Sequence, residues 1–311
     1  MESEGPLGEY FDLTSDDTHF GEATWEKAET KMQQLALQTA LNHAAMTQEE
    51  LSLAYSGDLL NQCIGSSFCL RNTGIPVLGL YGACSTMAQS LLLAAMSVAG
   101  GFASPVAALT SSHFASSERQ YRFPLGYGGQ RTPTAQWTVT GAGCVILREG
   151  TGELYVRGGT VGCIEDLGIC DANNMGAAMA PAAVSTLLAH FRELGRGPED
   201  YDQIVTGDLG AIGKQVVEER MQHEGFSLAG RYEDCGVLIF DRKRQDVHAG
   251  GSGCGCSASV LCGYLLRQMQ EKKLQNLLFC GTGALLSPVS TNQGESVPGI
   301  CHAVWLSTER E

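Results

Sequence analysis

The stretch VLGLYGACSTMAQSLLLAAM, residues 77–96, holds the pattern that decides the fold. Its first four residues form an apolar run typical of a short buried strand, and the small and apolar residues after Gly82 predict a helix that begins near Cys84. A helix N-terminus presents unpaired N–H groups and a positive dipole, which stabilise a thiolate. Cys84 is therefore a candidate nucleophile, and a structural cysteine that caps a buried helix is the alternative.

Strands and helices alternate on both sides of this stretch. The predicted helices cover residues 23–44, 61–73, 179–194, 212–223 and 257–270. The other predicted strands cover residues 51–56, 106–110, 138–148, 155–161, 203–206, 236–240, 277–280 and 300–306. This alternation predicts an α/β protein with parallel strands joined by crossover connections and helices on both sheet faces.

The two halves of the chain repeat one another. SGDLLNQ at residues 56–62 is echoed by TGDLGAI at 206–212, and GACST at 82–86 by GCGCSAS at 253–259. We expect a duplicated unit with halves at 1–150 and 151–311, and chance similarity of glycine-rich turns is the alternative. The second half opens with a strand and the first opens with a helix, so either the first half lacks that strand or the reading frame begins too late.

Composition excludes several classes of protein. The formal net charge of −14 disfavours binding to nucleic acid and to anionic lipid. The twelve cysteines form no regular ladder and no signal segment opens the chain, so we expect free thiols in a soluble protein of a reducing compartment. The apolar stretch 91–109 contains two glycines and a proline, which predicts a helix, a turn and a strand rather than a membrane span.

Other candidate residues follow the strand predicted at 106–110, in TSSHFASSERQYRFP. His113 stands at the strand end, where ligand-binding residues of α/β proteins gather, and an ordinary core or surface histidine is the alternative. Arg119, Arg122 and Arg131 are interleaved with aromatic residues, which suits a small planar aromatic anion, or else a salt-bridged loop.

Metal and cofactor sites are not expected. His248, Cys254 and Cys256 give only H-x5-C-x-C, which lacks the second ligand pair of a zinc site. The glycine-rich loop at 250–255 is not followed by the acidic residue of a dinucleotide-binding unit.

Several long motifs, in order, resemble the stage V sporulation protein AD family from Gly5 onward. They are GPLG, SGDLLNQ, GACSTMAQS, TSSHFASSERQYRFP, YGGQRTPTAQWTVTGAG, DLGICDANNMGAAMAPAA, DCGVLIF, AGGSGCGCSA and GTGALLSP. The resemblance implies a thiolase-like fold of two duplicated halves, with mixed sheets and helices in layers. The family begins with a strand ahead of GPLG that this chain lacks, which agrees with the gap in the repeat.

The resemblance also implies a function. The family is the dipicolinic acid binding component of the SpoVA system, which moves that ligand, or its calcium chelate, into the spore and releases it at germination. We therefore expect other SpoVA subunits as partners, a homodimer, and peripheral association with the spore inner membrane through those partners.

The thiolase pattern carries over at two cysteines. Cys84 matches the nucleophile, and Cys280 in CGTG resembles the acid/base cysteine. Asp208 stands where a synthase places a histidine, and the turn at 254–256 replaces the Gly-His-Pro of a thiolase. Without that imidazole, acyl transfer loses its usual proton donor.

Two functions and a third possibility follow. We expect a non-catalytic pocket in which Cys84, His113, Arg119, Arg122 and Asp208 surround the ligand. An acyltransferase that uses Cys84 and Cys280 is the alternative, and a scaffold with a vestigial pocket is the third possibility.

Overall fold

The computed structural model describes residues 2–121 and 131–310, apart from the side chains of residues 2–4. Its strands are β1 Leu53–Gly57, β2 Val77–Leu80, β3 Val106–Ser112, β4 Trp137–Thr138, β5 Gly141–Leu147, β6 Tyr155–Val161, β7 Gln203–Thr206, β8 Tyr232–Asp234, β9 Gly251–Ser252, β10 Asn276–Ala284 and β11 Gly299–Ser307. Its α-helices are α1 Trp25–His43, α2 Ile64–Leu70, α3 Thr86–Ala99, α4 Phe114–Tyr121, α5 Met175–Leu194, α6 Gly210–His223, α7 Cys235–Leu238, α8 Cys254–Ser259, α9 Leu266–Gln270 and α10 Pro288–Asn292. A π-helical segment, Val260–Leu265, joins α8 to α9.

Two sheets separate three layers of helices. The first sheet has the order β2-β1-β3-β5 and the second the order β6-β11-β10-β7-β8. Helix α3 packs against both sheets and against α8, so these two helices form the central layer. Helix α1 covers the outer face of the first sheet, and α5 covers the outer face of the second.

Side chains of the central strands alternate between the layers, as the pleat of a strand requires. In β3, Ala108 packs with Leu91 of α3, and Leu109 packs with Leu37 of α1. A shift of one residue would exchange these two faces, so the burial of both faces fixes the register.

The sheets are mixed. Strands β2, β1 and β3 run parallel, as do β10, β7 and β8, whereas β5, β11 and β6 pair antiparallel with their neighbours. The parallel pairing predicted from the alternation is therefore correct for the pairs that β1 forms with β2 and β3 and that β7 forms with β8 and β10, and wrong for β5, β6 and β11. The described residues before α1 contain no strand, so β6 has no counterpart there, as the repeat predicts.

Two predicted strands differ from the structure. Residues 236–240 do not form a strand: α7 occupies 235–238, because the carboxylate of Asp234 accepts the Val237 N–H and caps a helix. The predicted strand 138–148 is broken near Thr140, since β4 leaves the first sheet and pairs with β9. A short apolar run fits either a strand or a buried helix, so only tertiary contacts decide between them.

Two helices begin earlier in the chain than predicted. Helix α5 begins four residues before the predicted 179, where the Asn174 side chain accepts the Ala177 N–H. The predicted helix 257–270 begins at Cys254. The segment 91–109 is a helix, a turn and a strand, as predicted, and none of the described helices is both long and apolar enough to cross a membrane.

A buried acid follows an inner strand in each half. Asp58 comes directly after β1, and Asp208 comes two residues after the end of β7. These are the aspartates of the repeated SGDLLNQ and TGDLGAI motifs. The turn before α3 contacts β10, and Ser252 connects that turn to Asp208, so the candidate site lies between the two halves of the chain.

Candidate functional site

Cys84 lies in a tight turn between β2 and α3, as predicted. Ala83 has a φ of 51°, a left-handed conformation that is costly for a residue with a side chain and that clusters at functional sites. Residues Ala83–Ser85 form a 3-10 turn ahead of α3. The turn sets the Cys84 thiol at the end of the central helix, facing the second half of the chain.

The glycines of the CGTG motif allow β10 to approach this turn. A Cβ on Gly281 would lie 2.5 Å from the Cβ of Ala88 and 3.2 Å from the Ser85 carbonyl oxygen. A Cβ on Gly283 would lie 2.8 Å from the Gly82 carbonyl oxygen. Only glycine fits where these backbones are so close, which explains the motif without any catalytic role.

A row of polar side chains leads away from the thiol. The Cys84 Sγ is 4.0 Å from the Ser252 Oγ, and the Ser252 hydroxyl donates to the Asp208 carboxylate at 3.0 Å. Asp208 also accepts the Thr282 hydroxyl at 3.0 Å and the Gly253 N–H at 2.8 Å. Asp208 is thus fully buried with its oxygens paired, and it shares the site with Cys84.

The thiol is held in its neutral form. Burial raises the pKa of Cys84 well above its ordinary value, and the nearby charge of Asp208 raises it further. Burial also raises the pKa of the Asp208 carboxyl. The stabilised thiolate expected from the helix start is therefore wrong for this fold, because burial and a carboxylate outweigh the dipole of α3.

A cleft of about 50 Å³, open to solvent, lies in front of Cys84. Its wall combines apolar side chains with hydroxyls and one carboxylate, and its residues are Leu59, Ala83, Cys84, Ser117, Glu118, Tyr121, Thr138, Met175, Ser252, Ala284 and Leu286. The Tyr121 hydroxyl donates to the Leu59 carbonyl at 2.7 Å, which fixes the aromatic ring in the wall.

Ser117 is the polar group of the cleft that the sequence did not single out. It is 1% exposed, and its Oγ has no hydrogen-bond partner among the described residues. A buried hydroxyl without a partner is costly unless a ligand or water completes it. Ser117 lies in the TSSHFASSERQ motif, but three other serines share that motif, so no local signal distinguishes it.

Glu118 brings a second carboxylate to the cleft. It accepts the Thr138 hydroxyl at 3.0 Å and lies 3.5 Å from the Arg131 guanidinium. Arg131 stacks over the Trp137 ring at 4.3 Å. Arg131 thus pairs with Glu118 and stacks on Trp137, which corresponds to the salt-bridged alternative and not to an anion site.

The other predicted ligand contacts lie elsewhere or outside the described residues. His113 is buried: its Nδ1 accepts the Ala115 N–H at 3.2 Å, and its Nε2 donates to the Thr18 carbonyl at 2.8 Å. Burial lowers its pKa, so the imidazole is neutral. Arg119 forms an ion pair with Glu26. None of these side chains lines the described part of the cleft, and Arg122 lies outside the described residues.

Cys280 does not meet Cys84. It points from β10 into the outer core of the second half, with Tyr201, Tyr232 and Cys301, while the next residue, Gly281, faces α3. The contact with Cys301, followed by burial, raises the Cys280 pKa. The two-cysteine arrangement of the thiolase pattern is therefore absent from this site. Among the described residues no three His, Cys, Asp or Glu side chains form a metal site.

Two layered sheets around a central helix that follows a cysteine turn define a thiolase-like protein. The fold is similar to a 3-oxoacyl-[acyl-carrier-protein] synthase III from Aquifex aeolicus, with 14% identity over 92% of this chain and 85% of that one and a TM-score of 0.53. It is also similar to Xanthomonas campestris OleA with bound lauric acid and lauroyl-CoA, with 12% identity, 89% and 82% coverage and a TM-score of 0.62.

The chain belongs to the stage V sporulation protein AD (SpoVAD) family, whose sequence model matches residues 1–307. Stage V sporulation protein AD of Bacillus subtilis (strain 168) is 43% identical over 303 residues, which is 97% of this chain and 89% of that protein. The family resemblance and the thiolase-like fold predicted from the sequence are confirmed.

Proposed function

We propose that the cleft in front of Cys84 binds dipicolinic acid, free or as its calcium chelate, and catalyses no reaction on it. The observation that carries the proposal is the neutral Cys84 thiol beside the buried Asp208 carboxyl. Acyl transfer needs a thiolate at this place, and burial together with the neighbouring Asp208 carboxyl opposes its formation.

The cleft wall suits a small planar ring. Leu59, Tyr121 and Met175 offer apolar contacts, and the Ser117 hydroxyl, which has no hydrogen-bond partner among the described residues, offers a donor to a carboxylate oxygen. The described lining contains a carboxylate, Glu118, and no lysine or arginine. A neutral calcium chelate therefore meets less repulsion there than the free dianion, so calcium is expected to strengthen binding.

Isothermal titration of the folded protein with dipicolinate, in the presence of calcium and in the presence of a chelator, tests this proposal. We expect saturable binding that Ser117→Ala weakens about three- to tenfold, the effect of one hydrogen bond. Ser67→Ala, at an exposed site outside the cleft, is the control and is expected to bind as the unmodified chain does. Absence of binding under both conditions would refute the proposal.

An acyltransferase is the second candidate, because Cys84 lies in a strained turn before the central helix. Incubation with acyl-CoA and intact-mass measurement distinguishes the two functions. A covalent acyl adduct that Cys84→Ser abolishes would support transfer; an unchanged mass supports binding alone. Cys280→Ser is the matched variant, and it should not affect an adduct on Cys84 because it faces the other side of the sheet.

We expect a homodimer whose interface lies at the outer edge of the first sheet, along β2. Strand β2 pairs only with β1 within the described sheet, and Leu78 and Tyr81 are each 52% exposed there. A second copy that adds its own β2 would complete both edges. Light scattering should give twice the chain mass, and Leu78→Asp should give the monomer; a monomeric unmodified chain would refute this expectation.

Partners within the SpoVA system belong to the same proposal. The charge of −14 disfavours direct contact with anionic lipid, so association with the spore inner membrane is expected to require the other SpoVA subunits. Flotation with anionic vesicles, with and without those subunits, tests this point. Flotation of the chain alone would contradict it.

A further inference from the structure

A second cavity, of about 180 Å³, lies at the opposite end of the second sheet from Cys84. Gln203 in its wall is the first residue of β7, whereas Asp208 follows the last residue of that strand. The wall consists of Gln203, Glu233, Leu238, Tyr264, Leu265, Gln268, Lys273 and Leu274. No residue of this wall lines the Cys84 cleft, so the two cavities are separate.

Gln268 provides an unused donor to this cavity. The residue is 8% exposed, and its Nε2 is buried with no hydrogen-bond partner among the described residues. An amide N–H in that position is costly unless an acceptor enters the cavity. Tyr264 and Leu265 end the π-helical segment, a distortion that is frequent at functional sites, and both line the same cavity.

Charges of both signs stand around this donor. The Lys273 ammonium lies at the rim, 2.7 Å from Glu271, and is largely exposed. The Glu233 carboxylate lines the cavity and makes no ion pair or side-chain hydrogen bond with the described part of the chain. Leu238, Leu265 and Leu274 complete an apolar side.

From this wall we infer that the cavity binds a small amino acid with an aliphatic side chain. The ligand carboxylate accepts the Gln268 amide N–H and faces Lys273, its ammonium group faces Glu233, and its side chain packs against the leucines. An isolated carboxylate would leave the Glu233 charge without a partner, and an isolated amine would leave the Gln268 N–H without an acceptor, which makes the zwitterion the preferred class.

Titration of the full chain with L-leucine, monitored by ligand-observed NMR, tests the inference. 4-Methylpentanoate, which lacks the ammonium group, and 3-methylbutylamine, which lacks the carboxylate, are the comparison probes. We expect L-leucine to bind at millimolar concentrations or below and each comparison probe to bind at least about tenfold more weakly.

Gln268→Leu removes the donor and keeps the volume of the side chain, and Gln270→Leu alters an exposed residue of the same helix as a control. Gln268→Leu should weaken L-leucine binding about tenfold or more, while Gln270→Leu and dipicolinate binding at the other cleft remain unchanged. Glu233→Gln provides a second test on another element. It should reduce the difference in affinity between L-leucine and 4-methylpentanoate. The inference is overturned if L-leucine does not bind, if the comparison probes bind equally well, or if Gln268→Leu binds normally.

Discussion

Glu29 makes the stability of the folded chain depend on pH near neutrality. Its carboxyl is fully buried in α1 and accepts the Ser111 hydroxyl at 2.9 Å and the Ser116 hydroxyl at 2.7 Å. Burial, and then the charge of nearby Asp58, raise its pKa from 4.5 to about 8. Glu29 is therefore protonated in the folded chain at pH values where the unfolded chain has released this proton.

The sign of the effect follows from this difference. A carboxyl whose pKa is raised by folding stabilises the fold at low pH, and that stability is lost as the pH rises toward about 8. Each pH unit between the two pKa values lowers the free energy of unfolding by about 1.4 kcal/mol. From about pH 5.5 to about pH 7.5, Glu29 alone is thus expected to remove about 2.7 kcal/mol.

Urea denaturation at a series of pH values measures this loss. Glu29→Gln should reduce the slope of the free energy of unfolding against pH by the amount that corresponds to about one proton. The amide can still accept from Ser111 and donate to the Ser116 hydroxyl, which can in turn donate to the His113 carbonyl at 3.1 Å. Glu193→Gln, at an exposed position of α5, is the matched control and should leave the slope unchanged.

Some slope should remain in Glu29→Gln, because burial also raises the pKa of Asp234 to about 7. If Glu29→Gln and the unmodified chain lose stability in parallel between about pH 5.5 and about pH 7.5, the reasoning is refuted. That result would mean that the buried carboxyl is already ionised in the fold.

Three further predictions concern the cleft and its surroundings. Gly281→Ala should lower the free energy of unfolding by about 1–3 kcal/mol in urea denaturation, because its Cβ has no room, and a loss below about 0.5 kcal/mol would contradict the close approach of β10. Iodoacetamide should alkylate exposed Cys163 much faster than buried Cys84 at neutral pH, as peptide mass mapping can measure; equal rates would contradict the neutral, buried thiol. Arg119→Ala should change the dipicolinate dissociation constant measured by calorimetry by less than about twofold, because the Arg119 guanidinium is paired with Glu26 outside the cleft. A larger loss of affinity would indicate that Arg119 contacts the ligand.

Local sequence patterns were sufficient for most of the fold. The strand, turn and helix around Cys84 each have a signal within a few residues, and the repeated glycine and aspartate turns indicate the second half. The segment 236–240 could not be assigned in the same way, because an apolar run of five residues fits a strand or a helix. The contacts of Asp234 with Leu209 and Gly210, on another element, fix the start of α7.

The candidate site was less accessible to sequence reasoning. The glycine-containing turn after a strand indicated Cys84, whereas Asp208 was indicated only by the resemblance to the thiolase pattern. Ser117 and Ser252 are two of many serines, and only the folded chain brings them to the cleft. His113 follows a strand as expected, but Thr18, which is 95 residues away in the chain, holds its imidazole outside the cleft wall.

The charge state of Cys84 shows why position and role have to be argued separately. The dipole of α3 acts locally and favours a thiolate, but it cannot compensate for the loss of water around a fully buried sulfur. Asp208, supplied by the second half, adds a like charge where an imidazolium would add an opposite one. The second half thus places an acid next to Cys84. An acid next to a thiol opposes formation of the thiolate, whereas the Ser117 hydroxyl of the cleft has no partner among the described residues, and binding is therefore the function that this geometry favours.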